Sequence, residues 1–359
     1  MDRSIRRWLL FSAIAVAALV AAALTGTTAA AEQNVYTAHN LVSDQPGVAD
    51  HLDPNLANAW GLDARPTSPW WVADNGTNVS TLYNASGDAF PSASPLVVQV
   101  PHAPTGLVAN VGSNFVIRVG SASGSALFLF DTEEGRILGW NPSVSADAVA
   151  IDLPDTGAIY KGLAINPSGD RLYATDFHNG RVDVFDGSFN PINAPGAFVD
   201  PKLPDGFAPF GIQAIGGRIV VTYAKQDSDR EDDVQGQGLG RVDVFDTDGV
   251  LVGRVDGHGQ LNAPWGIALA PGNFGRFSGD LLIGNFGDGT INAFRQQSTD
   301  RYVHAGGLRS SDGGSLSIDG LWALQFGKGA ANNGPTSTLF FTAGPDDESH
   351  GLFGTITAS

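Results

Sequence analysis

The chain has 359 residues, 20 of them basic and 37 acidic, with a net charge of −17 and no cysteine. An acidic chain repels phosphate backbones, and no segment here clusters Lys or Arg, which argues against nucleic-acid binding. Without cysteine there is no disulfide framework and no thiol nucleophile, so stability has to come from packing and ring closure.

At the start, Arg3, Arg6 and Arg7 precede an apolar run over residues 8–24 and then Ala29-Ala30-Ala31. A charged stretch, an apolar stretch and small residues in that order predict a secretory signal peptide over residues 1–31, cut near Ala31. An uncleaved anchor is the alternative reading, since the run is about as long as the shortest membrane-spanning helices. Removing three arginines and one aspartate leaves a mature chain, residues 32–359, with a net charge of −19. It is expected outside the cell or in the periplasm, as a monomer with no further membrane span. The plain reading of its charge is solubility; the sharper one is affinity for cations.

Ahead of any repeat stands the strand-like segment 35–42. Then the pattern x-Gly-Leu/Ile recurs six times, with glycines at Gly61, Gly106, Gly162, Gly211, Gly266 and Gly320. Their spacing of 45 to 56 residues, in a chain of short β segments, is the signature of a β-propeller. Each repeat continues with a second strand, such as Trp70-Trp71-Val72-Ala73-Asp74, and a third; Arg-Val-Asp-Val-Phe-Asp occurs twice, at 181–186 and 241–246. The reading is all-β: six four-stranded antiparallel blades in one domain, residues 32–359. The last repeat is one strand short, which predicts that segment 35–42 pairs into it and closes the ring. Residues 114–124 in the second repeat and 225–234 in the fourth interrupt the pattern as an excursion and an insertion.

The residue before each repeat glycine is expected at the mouth of the central channel. These are Trp60, Thr105, Lys161, Phe210, Trp265 and Asp319. Six-fold geometry sets Lys161 opposite Asp319, Trp60 opposite Phe210 and Thr105 opposite Trp265. Such a ring is either an aromatic plug or a ligand site with one cation and one anion. The turns between second and third strands are acidic on the same face. Turn chemistry accounts for a carboxylate at the end of a strand, but the excess at 131–134, 227–233 and 346–350 goes further. Calcium is the candidate cofactor, with Asp131, Glu134, Asp176, Asp232, Asp346 and Asp347 as candidate ligands, although no Asp-x-Asp-x-Asp-Gly loop occurs. No Gly-x-Ser-x-Gly elbow, His-Glu-x-x-His or phosphate loop is present.

The x-Gly-Leu/Ile strands and the Gly-Arg-Val-x-Val-Phe third strands resemble those of NHL-type propellers. More narrowly, Asn40-Leu41-Val42-Ser43-Asp44, Asn58-Ala59-Trp60-Gly61-Leu62, Tyr223-Ala224-Lys225-Gln226-Asp227 and the segment 341–348 resemble a family of secreted bacterial propellers of uncharacterised activity. Some of that family end in a sorting tag; this chain ends at Thr357-Ala358-Ser359, from which free secretion is expected. A wider similarity is to calcium-dependent propeller lactonases and phosphotriesterases, whose metal rests on acidic and amide residues at the channel mouth. Only Asp319 keeps that character at the positions compared, which argues against their chemistry. The expected function is binding of a small molecule or an extracellular partner by an acidic, aromatic-centred face. The alternative is a cation-assisted hydrolase or lyase using Lys161 and Asp319.

Overall fold

The computed structural model describes residues 34–359 apart from His258. The predicted signal peptide, residues 1–31, lies outside the described residues. Among the described residues the only helical pieces are two three-residue 3₁₀ turns, so the fold is strands and turns throughout.

Six inner strands stand around one axis: Ala59–Asp63, Pro104–Ala109, Tyr160–Ile165, Phe207–Ile215, Pro264–Leu269 and Leu321–Phe326. Each packs against the next in chain order, and the last packs against the first. From each, an antiparallel meander runs outward as a blade of a β-propeller. Blades one and two have four strands, blade three has three, and blades four and five are joined into one nine-stranded sheet. The joint is a parallel pairing of Leu251–Asp256 with Arg301–Gly307, Arg254 lying beside Arg301. In blade six the N-terminal strand Tyr36–Ser43 pairs antiparallel with Leu352–Ala358, Tyr36 opposite Ala358, so the two ends of the described chain zip the ring shut. His51–Leu52 adds a parallel fifth strand there. The expectation of four strands in every blade therefore fails at blades three and six.

Each inner strand carries a bulge at the repeat motif, where two residues oppose one on the second strand. In blade one the register jumps between Ala59 and Leu62, and in blade two between Pro104 and Leu107. The bulge leaves an inner-strand N–H outside the ladder. Second-strand side chains take it up: the Gly106 N–H donates to Asp131 Oδ1 at 2.5 Å and the Gly211 N–H to Thr222 Oγ1 at 2.8 Å. The equivalent second-strand side chain of blade three ties two blades together. Thr175 Oγ1 donates to the Phe210 carbonyl of the following blade at 2.6 Å.

The repeat glycine is fixed by close approach between neighbouring inner strands. A Cβ on Gly61 would lie 2.6 Å from the Thr105 carbonyl oxygen of blade two, and one on Gly211 would press into the Trp265 carbonyl of blade five. Between adjacent blades lie separate apolar clusters. Trp71, Leu82 and Val98 of blade one, for example, meet Leu107, Phe128 and Trp140 of blade two. Fully burying one such side chain is worth about 1.5–3 kcal/mol, so each interface carries several times that.

The two departures from the repeat are also visible. Residues 114–124 form most of a separate hairpin, Val116–Val119 with Ala122–Ser125. In the 225–234 insertion, Asp233–Val234 pairs back on the second strand of blade four, Gln226 opposite Asp233.

Candidate functional site

Four of the six residues named from the sequence meet near the axis, while a fifth, Thr105, turns its hydroxyl to Asp131 Oδ1 and the Tyr160 carbonyl, each at 2.9 Å. Trp60, Thr105, Lys161, Phe210 and Trp265 are all buried, with Lys161 only 2% exposed. The sixth is not. Blade six pairs Leu321 with Ala343 and Leu324 with Phe341 across its bulge, so Leu321-Trp322-Ala323-Leu324 is the segment equivalent to Ala59-Trp60-Gly61-Leu62. Trp322, not Asp319, holds the axial position, and Ala323 stands where the other blades have glycine. Ile318-Asp319-Gly320-Leu321 mimics the motif three residues early. Asp319 is an exposed turn residue whose Oδ2 accepts the Asp346 N–H at 2.9 Å. The opposition of Lys161 to Asp319 is therefore corrected: the inner strand three blades from Lys161 offers an indole.

The axis is filled. Trp60 and Trp322 stack with centroids 3.5 Å apart, Trp265 meets both edge-on, and Phe286 stacks on Trp322 at 4.0 Å. Trp265 Nε1 donates to the Lys161 carbonyl at 2.7 Å, and Trp322 Nε1 to Asn58 Oδ1 at 3.2 Å.

Above this stack lies a charged cluster drawn from four blades. Lys161 Nζ donates to Glu133 Oε1 at 2.5 Å and to Asp232 Oδ1 at 3.1 Å, and sits 5.4 Å from the Trp60 ring centre. Burial alone would lower the Lys161 pKa; the pull of Glu133 and Asp232 outweighs it and holds the ammonium above its usual range. Asn75 Nδ2 donates to Glu133 Oε2 at 3.0 Å, and Asn58 Nδ2 to Asn75 at 3.2 Å and to Glu348 Oε2 at 2.7 Å. Desolvation raises the Glu348 carboxyl and pushes Asp233 up to about 7, with Lys161 opposing both shifts. Asp233 Oδ2 has no hydrogen-bond partner. Glu348 is delivered by a strained turn: Asp346, Asp347 and Glu348 have φ of 55°, 52° and 64°. Three left-handed non-glycine residues in a row cost roughly 1–2 kcal/mol each.

Between blades five and six, next to Glu348, opens a cavity of about 250 Å³. Phe286, Gln235 and four carboxylates, Asp288, Asp319, Asp347 and Glu348, line it, and among the described residues no basic side chain does. Sequence reading points to Asp347 and Glu348 through the excess at 346–350, but places Asp319 on the axis. It missed Trp322, Phe286, Asn58 and Asn75, although the tetrapeptide Leu-Trp-Ala-Leu, a repeat motif with alanine for glycine, was a signal for the first.

The six carboxylates named as calcium ligands are dispersed. Asp131 is buried beneath the Gly106 bulge, where desolvation raises it to about 7. Asp176 is buried in its own turn under Asn179, Glu134 pairs with His102 at 2.7 Å, and Asp232 with Lys161. Asp346 and Asp347 lie in the strained turn. Among the described residues no group of three or more His, Asp or Glu side chains is placed to hold a metal ion.

Comparison with known proteins finds viral relatives. No family model matches the chain. It is 34% identical over 327 residues to the "uncharacterized protein R648" of Acanthamoeba polyphaga mimivirus, covering 88% of this chain and 78% of that one. The "uncharacterized protein L690" of the same virus is 33% identical over 328 residues, covering 88% and 84%. The chain belongs to the family of these two proteins. Among solved structures, one titled "Crystal structure of glucose dehydrogenase" superposes with a TM-score of 0.51 at 14% identity, over 90% of this chain and all of that one. That likeness concerns the propeller fold alone. No helix among the described residues is long and apolar enough to cross a membrane.

Proposed function

We propose that the protein is a secreted binding module whose channel-mouth face takes an organic cation, either a small amine or a basic side chain of an extracellular partner. One observation carries this reading: a cavity walled by four carboxylates and Phe286, with no basic side chain in its lining among the described residues. Ammonium and guanidinium groups suit such a place, gaining charge-assisted hydrogen bonds and an aromatic neighbour. The aromatic stack beneath supplies a rigid floor rather than an open reaction chamber. Titration calorimetry with methylamine, tetramethylammonium, guanidinium and calcium tests it. Saturable binding of at least one organic cation, weakened by salt and by Glu348→Gln together with Asp347→Asn, supports the reading. Heat from calcium alone replaces it with a metal site, and no heat from any of the four defeats it. Secretion is tested by sequencing the N-terminus of protein expressed with residues 1–31 in place.

A second reading, an acid–base enzyme, rests on Asp233. A carboxyl raised to about 7 beside a buried lysine is a competent proton acceptor at neutral pH. Turnover of an ester or lactone panel, abolished by Asp233→Asn, would favour it over simple binding.

A further inference from the structure

Among the described residues, blade three is the only blade that ends at three strands. In the other five a further strand lies against the third: Val97–Gln99, Val149–Ala150, Leu251–Asp256, Arg301–Gly307 and Tyr36–Ser43. In blade three the outer edge of Arg181–Asp186 is covered only at one end. The Asp186 N–H donates to the Asn190 carbonyl at 2.9 Å and the Ile192 N–H to the Val184 carbonyl at 2.7 Å. The chain then leaves through Pro195, Pro201 and Pro204, which cannot donate to a ladder. Along an antiparallel strand the outward pairs alternate, so Val182 directs both its N–H and its C=O at the open edge. Among the described residues neither has a hydrogen-bond partner, and nor does the Val184 N–H. Next to this edge is a cleft of about 450 Å³, lined by Leu153, Pro154, Val182, Val184, Ile192 and Pro195 among others.

We propose that blade three accepts an extended, basic peptide of another molecule as its fourth strand, main chain on Val182 and an apolar side chain in the cleft. The sibling blades argue for the occupant, because in each of them a strand of two to eight residues fills the equivalent place. Strand addition draws affinity from main-chain hydrogen bonds and selectivity from pockets for alternate side chains. Charge selects the peptide. The chain is at −17, and the one cation in the cleft, Arg181, is already paired with Asp183 at 2.7 Å and Asp176 at 3.3 Å. Asp155, beside the lining residue Pro154, is exposed on the rim. A lysine-bearing strand is therefore favoured over an acidic one.

The test uses the whole protein and a dye-labelled, end-blocked pentapeptide of alternating lysine and valine. Its controls are the glutamate counterpart and a copy N-methylated at the valines, all read by fluorescence anisotropy. Saturable binding of the lysine peptide is expected, at least tenfold weaker for both controls. Val182→Pro removes an outward N–H without touching the inner ladder, a position where edge strands tolerate proline. It should weaken the lysine peptide at least tenfold, while Val182→Thr leaves it unchanged. Should Val182→Pro fail to fold, the N-methylated peptide decides. Absence of saturable binding, equal binding of the N-methylated copy, or binding lost with Glu348→Gln but kept in Val182→Pro would each overturn the proposal. Methylamine binding at the channel mouth is expected to survive Val182→Pro, so the two sites stand or fall separately.

Discussion

Replacing Lys161 by methionine keeps the length and apolar contact of the side chain over Trp60 and removes only its charge. Removing one member of a buried ion pair costs about 3–5 kcal/mol when the partner stays buried and uncompensated. Here the partners are wetter: Glu133 is 29% exposed and Asp232 76%, so both regain water, and Asp232 adds little. The expected destabilisation at pH 8 is therefore smaller, about 2 kcal/mol. Unfolding entropy scales at about 2.1 cal/mol/K per residue, so for a chain of this size that is about 3 °C in Tm. The loss should be smaller at pH 5.5. Without the ammonium, Asp233, already raised to about 7 with Lys161 opposing the rise, is neutral there, so one of the carboxylates that Lys161 offsets carries no charge. Paired thermal and urea unfolding of wild type and Lys161→Met at both pH values measures the difference. An equal loss at the two would mean that packing, not charge, is what Lys161 supplies; no loss at either would mean that its burial has been misjudged.

Trp322→Ala should cost about 3–5 kcal/mol as a large side chain leaves the axial stack, whereas Asp319→Asn should stay within about 0.5 kcal/mol; urea midpoints that ranked them the other way would restore Asp319 to the axis. Gly211→Ala pushes a methyl into the Trp265 carbonyl and should destabilise by about 1–3 kcal/mol, while Ala323→Gly, at the blade-six equivalent, should cost less. The wild type should become less stable as pH rises from 5 to 8. Asp131, Asp233 and Asp243 are raised by burial to about 7, so between the unfolded value near 4 and that point the folded chain holds protons the unfolded chain releases. Each such group costs about 1.4 kcal/mol per pH unit between its two values, so about 2.7 kcal/mol between pH 5 and 7. Asp131→Asn keeps the acceptor for Gly106 and should flatten the profile in thermal scans; a slope as steep as that of the wild type would count against a neutral Asp131.

The ring was legible because its repeat is enforced by backbone crowding. A glycine at each close approach of inner strands cannot be exchanged without clash, so it marks the sequence at regular intervals. Blade six escaped that logic. Its approach to blade one admits the methyl of Ala323, and Asp319-Gly320, needed for an unrelated turn with φ of 63° at Gly320, supplied a decoy. The site was legible only as composition. That acids gather on one face follows from the antiparallel order of strands, but which of them meet depends on turn geometry. The 225–234 insertion brings Asp232 across to Lys161 of the preceding blade, and the left-handed turn at 346–348 swings Glu348 towards Asn58. No local spacing encodes either reach. The missing fourth strand of blade three was hidden for the same reason, since the proline-rich segment after Asp186 is long enough to have held one.

The parallel seam between Leu251–Asp256 and Arg301–Gly307 makes mechanical partners of two neighbouring blades. A ring of separate wedges can breathe at any joint, but one with two wedges sewn together at the rim has to breathe elsewhere. Opening motions are thus steered to the thin sector that lacks an outer strand. Amide protons at Val182 and Val184 should exchange with solvent long before those at Val255 and Tyr302, and thermal unravelling should begin on the side of the molecule where a guest strand would otherwise brace it.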